Sequence, residues 1–319
     1  MKMDFVSFSS YTKEELLSIF ALSRWMKEER PTGFRPLGDK TAAFIFEKPS
    51  LRTHVSFEVG ILQLGGQSVF LSNQHIGIAS RESVRDIAEV LSQYNDLIVA
   101  RTFSHDVVEE LAAHATIPVV NALTDLLHPC QVMADALTLL ERDLLSESTK
   151  VAFIGDGNNM VNSWLELAEK VPFQFVLACP EGHEPDLGIL TQARAAGVSQ
   201  IDIVRDPREA AEGADVLYTD VWVSMGQEEE RAARLKTFAP YQINADLLKI
   251  ASPECVVMHC LPAHRGEEIT ADVLEGSRSI VLPQAQNRLH VQKGILAYLF
   301  GERKKSPLAM QEHQEGLFV

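Results

Sequence analysis

At 319 residues, with 46% apolar and 23% charged side chains, the chain has the composition of a globular protein and the length of about two domains. A net charge of −15 and a pI near 5.1 repel nucleic acid and anionic membranes, so neither is expected as a partner. An anionic substrate would therefore need a locally basic pocket.

In chain order, the N-terminal MKMDFVSFSSYTKEELL lacks the apolar core of a signal peptide and the arginines of a transit peptide. Thr12-Lys13-Glu14-Glu15 is a helix start, and Leu16, Leu17, Ile19, Phe20, Leu22 and Trp25 follow at helical spacing, so a helix is predicted from Thr12 to Arg30. Thr41 to Glu47 reads as a strand. A helix follows Arg52 and stops at Gly65-Gly66, and QSVFLS is the next strand. Ser83 to Tyr94 reads as a helix, DLIVAR as a strand, His105 to Ala115 as a helix and PVVNAL as a strand, and HPCQVMADALTLLERD opens another helix. The polar stretch Arg142 to Lys150 is the best boundary. Beyond it KVAFIGD, QFVLACP, IDIVRD and VLYTDV read as strands, with helices from Asn158, near Leu190, at Pro207 to Glu212 and over Gln227 to Leu235. CVVMHC and SIVLPQA are further strands, and Asn287 to Arg303 is the last helix. No stretch approaches the apolar length of a bilayer span. The four cysteines, Cys130, Cys179, Cys255 and Cys260, form no CxxC pair, which points to a reducing, cytoplasmic setting.

Strand and helix alternate throughout, the pattern of parallel sheets. The expected class is α/β: two domains, each a parallel sheet flanked by helices, with the active site in the cleft between them. The expected division is 1–145 and 146–319, with the last helix, about 287–304, packing back on the first domain.

Chemistry-bearing residues gather where strands feed helices. Pro49-Ser50-Leu51-Arg52-Thr53 joins a strand to a helix N-terminus, whose unbonded N–H groups and positive dipole favour an anion. Ser50 and Thr53 add hydroxyls, and Arg52 a guanidinium able to fork two phosphate oxygens; a plain helix cap is the alternative. Arg101 ends a strand, while His128 and Gln131 sit at a strand–helix turn, so the three could surround a carbonyl. IGDGNN at Ile154 to Asn159 looks like a dinucleotide fingerprint, but its third glycine falls on Met160. A nicotinamide-dependent dehydrogenase therefore stands as the rival.

FEKPSLRTHVSFEVG, HPCQ, the DVWVSMG segment with Asp220 and Ser224-Met225-Gly226, HCLP with Cys260 and Leu261, and Asn287-Arg288 resemble, in order, five segments of the aspartate/ornithine transcarbamylase family. Leu51 for the common Thr, His54 for a common Arg and Gln286 are departures. The intact S-M-G loop resembles the branch acting on free ornithine; aspartate or putrescine relatives should lack it, whereas Leu51 also occurs in relatives acting on N-acylated ornithine.

The resemblance implies transfer of a carbamoyl group from carbamoyl phosphate to the δ-amine of L-ornithine, giving L-citrulline and phosphate, in arginine biosynthesis or related citrulline metabolism. It implies that Ser50, Leu51 through its backbone, Arg52 and Thr53 hold the phosphate. Arg101, His128, Gln131 and Arg288 would surround the carbamoyl group. Asn159, Asp220, Ser224 and Met225 would hold the α-amino and α-carboxylate ends of ornithine, with Cys260 and the Leu261 carbonyl near the δ-amine. It implies no metal or organic cofactor, no base beyond the departing phosphate, and a homotrimer.

Overall fold

A computed structural model of the chain describes residues 2–72, 82–224, 226 and 228–302. Among the described residues, the fold divides into two compact units, one made of the residues up to Leu137 together with 287–302, the other of those between Thr138 and Gln286.

The first unit opens with α1 (Lys13–Glu28). Thr12 accepts the Glu15 N–H at 3.2 Å, and the Glu15 carboxylate accepts the Thr12 N–H at 2.9 Å, a reciprocal cap that fixes where the helix begins. Then come β1 (Thr41–Phe46), α2 (Leu51–Gln63), β2 (Gln67–Ser72), α3 (Val84–Tyr94), β3 (Leu97–Arg101), α4 (His105–His114), β4 (Val119–Leu123) and α5 (Pro129–Leu140). The four strands pair in parallel in the order β2-β1-β3-β4. One layer of core runs through Ala43, Ile45, Ile98, Ala100 and Val119 from the strands and Ile87, Val108 and Leu111 from the helices. Such apolar runs are what a parallel sheet covered on both faces requires.

The second unit holds β5 (Lys150–Ile154), α6 (Asn159–Ala168), β6 (Gln174–Ala178), α7 (Leu187–Ala196), β7 (Gln200–Val204), α8 (Pro207–Ala211), β8 (Val216–Thr219), α9 (Arg231–Phe238), α10 (Ala245–Leu248), β9 (Val256–His259) and α11 (Ala271–Leu274). Its strands are all parallel, in the order β7-β6-β5-β8-β9. Trp164 of α6 is fully buried, its ring edge-on to Phe173 at 5.5 Å and Tyr218 at 6.1 Å.

One expected strand is a helix. SIVLPQA bridges β9 only at Ser279, and α12 then runs over Val281–Leu299, starting six residues before the expected Asn287. A short apolar run does not distinguish strand from helix by period. Pro283 falls in the first turn of α12, where a missing N–H costs no intrahelical bond. No helix among the described residues is long and apolar enough to cross a membrane.

Candidate active site

Strand order reverses between β1 and β3 in the first sheet and between β5 and β8 in the second. Ligands of open α/β sheets bind beyond the carboxyl ends of strands at such reversals. Among the described residues, Ser50 to Thr53, Arg101, Asn159, Asp220 and Ser224 lie at or after the carboxyl ends of the strands at these two places, His128, Gln131, Cys260 and Leu261 follow the neighbouring β4 and β9, and Arg288 comes from the last helix.

In the first unit, Glu47 ties the ends of β1 and β3 together: its N–H donates to the Arg101 carbonyl at 2.9 Å and its carboxylate accepts the Phe103 N–H at 2.8 Å. Lys48, buried, pairs with Asp125 and lies 4.4 Å from the centre of the Phe103 ring. These contacts set the entry to α2, whose N-cap is Ser50, its Oγ accepting the Thr53 N–H at 3.1 Å. Leu51 is 74% exposed, so its backbone is what it can offer a ligand at the helix start. Arg52 stands beside it, half-buried.

Two buried guanidiniums converge on Thr53. Arg101 donates to its Oγ1 at 3.4 Å and Arg288, from α12, at 2.9 Å. Arg288 also donates to Gln131 Oε1, and Gln131 Nε2 donates to the buried carboxylate of Asp135 at 2.8 Å. Asp135 thus fixes which end of the Gln131 amide faces Arg288. Lys27 donates to Asn287 Oδ1 at 2.7 Å. His128 is buried beside this group. Burial, and then the charges of Arg288, Arg101 and Arg52, hold its pKa well below the ordinary histidine value, so the imidazole is neutral. Three arginines around one neutral imidazole, with one buried carboxylate opposed, form a locally basic cluster in an acidic protein. Such a cluster has the charge and the donors that an oxyanion or phosphate requires.

In the second unit, the turn after β5 is built for its own packing. A Cβ on Gly157 would lie 2.4 Å from Pro185 N and 2.6 Å from the His183 carbonyl oxygen, so only glycine lets the two backbones approach this closely. Asn158 caps α6, its Oδ1 accepting the Met160 N–H at 2.9 Å and the Val161 N–H at 3.4 Å. These are donors that a dinucleotide pyrophosphate would need at a helix N-terminus. The turn resembling a dinucleotide fingerprint therefore uses its glycine and its first-turn amides internally.

Asn158 Nδ2 donates to Asp220 Oδ2 at 2.9 Å, and the Cys260 thiol donates to Asp220 Oδ1 at 2.9 Å. Asp220 Oδ1 also accepts the Val221 N–H at 2.8 Å. Asp220 is thus fixed among loop ends of β5, β8 and β9. Asn159 is the first residue of α6, its carbonyl accepting from Ser163 Oγ at 2.8 Å. Ser224 is half-buried in the loop after β8, and Met225 lies outside the described residues.

The loop after β9 is held from beneath. His259 Nδ1 accepts the Leu261 N–H at 2.8 Å, which leaves its proton on Nε2, facing the Glu268 carboxylate at 2.9 Å. Leu261 takes φ +57, a left-handed conformation that this hydrogen bond helps to hold.

Sequence reading missed Lys48, Asp135, Asn158 and the His259–Glu268 pair. Asn158, next to the expected Asn159, was legible as an Asn at a helix start. Asp135 stands at helical spacing from Gln131, but only the fold shows that it is buried, and Lys48 and the His259–Glu268 pair find their partners through the fold.

Residues 3–141 match the carbamoyl-phosphate-binding domain of the aspartate/ornithine carbamoyltransferases, and residues 147–299 match their aspartate/ornithine-binding domain. An ornithine carbamoyltransferase of Chlorobaculum tepidum is 55% identical over 303 residues, 93% of this chain and 90% of that protein. The solved ornithine carbamoyltransferase of Pyrococcus furiosus is 44% identical with a TM-score of 0.87, covering 93% of this chain and 96% of that one. The anabolic ornithine carbamoyltransferase of Campylobacter jejuni is 36% identical with a TM-score of 0.89, covering 94% and 99%. The chain belongs to the aspartate/ornithine carbamoyltransferase family.

Proposed function

We propose that the protein is an ornithine carbamoyltransferase, moving the carbamoyl group of carbamoyl phosphate to the δ-amine of L-ornithine to give L-citrulline and phosphate. The observation that carries this reading is the cluster of Arg52, Arg101 and Arg288 around a neutral His128 at the first sheet's reversal. It suits a small substrate that is anionic at one end and carries a carbonyl at the other.

Ser50, the Leu51 N–H, Arg52 and Thr53 hold the phosphate. Arg101, His128, Gln131 and Arg288 surround the carbamoyl group, and Arg101 with the neutral imidazole stabilises the oxyanion as it develops. The unprotonated δ-amine attacks the carbonyl carbon. The new C–N bond forms, the C–O bond to phosphate breaks, and the departing phosphate takes the proton from nitrogen. Catalysis is then mainly positioning and electrostatics. Asn159, Asp220, Ser224 and Met225 hold the amino-acid end of ornithine, and Cys260 with the Leu261 carbonyl lies at the δ-amine.

Carbamoyl phosphate belongs to the first domain, about 1–145 with the last helix, and ornithine to the remainder of 146–319; the grouping of the segment from Asn287 with the first unit supports this. The protein is a homotrimer. Exposed Leu62 of α2 and exposed Val69 and Phe70 of the edge strand β2 support self-association along this edge of the sheet. Four free cysteines support a reducing, cytoplasmic setting. Similarity to the anabolic enzyme of Campylobacter jejuni supports a place in arginine biosynthesis.

The test is citrulline and phosphate release from carbamoyl phosphate offered with ornithine, N-acetylornithine, putrescine or aspartate in turn. Ornithine alone should support turnover, with one phosphate per citrulline. Faster turnover with another acceptor, or none at all, would refute the reading.

A further inference from the structure

Just past the Cys260-Leu261 segment lie His264, Glu267 and Glu268. One ligand atom from each converges so that all three lie within 4.8 Å of one another. His264 Nδ1 is 3.8 Å from Glu267 Oε2 and 3.9 Å from Glu268 Oε2. All three atoms are shut off from solvent, and none has a hydrogen-bond partner among the described residues.

The rest of each side chain is anchored. Glu268 has no exposed surface, and its Oε1 faces His259 Nε2 at 2.9 Å and accepts the His264 N–H at 2.6 Å. Glu267 Oε1 pairs with Arg231, and its carbonyl accepts from Gln242 at 2.8 Å. Gly266, at φ +89, reverses the chain so that residue 264 faces 267 and 268. Buried polar atoms are almost always partnered. Here two carboxylate oxygens and an imidazole nitrogen face one another; Arg231 and His259 engage only the Oε1 atoms, and a shared cation would serve the two Oε2 atoms.

We propose that His264, Glu267 and Glu268 form a site for a divalent transition-metal ion of the zinc class. One imidazole and two carboxylates suit such an ion and leave its fourth position to water. Metal–ligand bonds of about 2.0–2.2 Å would set the ligand atoms roughly 3.3–3.6 Å apart, a contraction of tenths of an ångström for the two measured pairs.

The site is separate from the neighbouring trio of Asp220, His259 and Cys260, whose ligand atoms also lie close together. There both His259 nitrogens already face partners, and Cys260 and Asp220 bond each other. A metal at Glu268 would stiffen the loop. Its Oε1 holds His259, and His259 holds the Leu261 N–H, so the bound ion would steady the segment carrying Cys260 without touching the reacting atoms.

Metal-stripped protein titrated with Co²⁺ tests this. The wild type should take up one equivalent with visible bands of a tetrahedral nitrogen/oxygen site and no thiolate-to-cobalt charge-transfer band. His264→Ala and Glu267→Gln should bind at least about tenfold more weakly while keeping the wild-type circular dichroism. Zinc should raise the melting temperature of the wild type more than that of either variant. Absence of binding, binding that carries the thiolate band, or binding unchanged in both variants would overturn the proposal.

Discussion

His128 couples charge, burial and chemistry most tightly. Its folded-state pKa is depressed, so below the ordinary value of about 6.5 the unfolded chain binds a proton that the folded chain refuses. Its contribution to stability is therefore complete above about pH 6.5 and is lost by about 1.4 kcal/mol per pH unit as pH falls toward the folded pKa. Urea unfolding at pH 7.5 and 5.5 should show wild type losing roughly 1 kcal/mol more than His128→Gln; equal losses would mean the imidazole is protonated in place. The cysteines make a second prediction. Burial pushes the Cys130 and Cys255 thiols up to about 12 and Cys179 to about 11, whereas Cys260 is partly exposed. A disulfide reagent should modify Cys260 first in native protein, and Cys260→Ser should remove the fast phase. Arg52, Arg101, His128 and Gln131 were legible because each lies at or after the carboxyl end of a strand. Asp135 was not, since a carboxylate one turn beyond Gln131 looks like any helical Asp until the fold buries it. Asp135→Asn should leave the Gln131 amide free to flip, raising KM for carbamoyl phosphate while KM for ornithine stays near wild type.

At the scale of elements, glycines reveal what packing demands. Alanine normally favours a helix over glycine by about 1 kcal/mol. At Gly294 of α12 a Cβ would lie 1.9 Å from Ser23 Oγ and 2.8 Å from the Ile19 carbonyl oxygen of α1, so the sign reverses. Gly294→Ala and Gly157→Ala should each destabilise by about 1–3 kcal/mol, read as a lower urea midpoint with unchanged slope. An unchanged midpoint would mean that the backbones do not touch as described. The alternation of strand and helix was legible because buried parallel strands are short, continuous apolar runs. SIVLPQA was misread for the same reason. Ile280 and Val281 are buried, Leu282 is 73% exposed, and only the fold says that the run turns into a helix after one bridge.

At the scale of the whole molecule, assembly and specificity are what the sequence left to resemblance. Light scattering should give three times the chain mass of 35.4 kDa, and Phe70→Glu on the edge strand should shift it downward. The two switch points divide the labour in this proposal, carbamoyl phosphate at one and ornithine at the other, and charge sets the size of the effect. A carboxylate about 4 Å from the α-ammonium of ornithine is worth of order 4 kcal/mol at an effective dielectric near 20. Half of that, after desolvation, is roughly thirtyfold in rate or affinity. Steady-state citrulline formation by wild type, Arg52→Ala and Asp220→Asn, with each substrate varied in turn, tests the claim most directly. Arg52→Ala should degrade the response to carbamoyl phosphate, and Asp220→Asn should lower kcat/KM for ornithine about thirtyfold with carbamoyl-phosphate affinity intact. Wild-type kinetics in either variant, or the two losses falling on the opposite substrates, would contradict it.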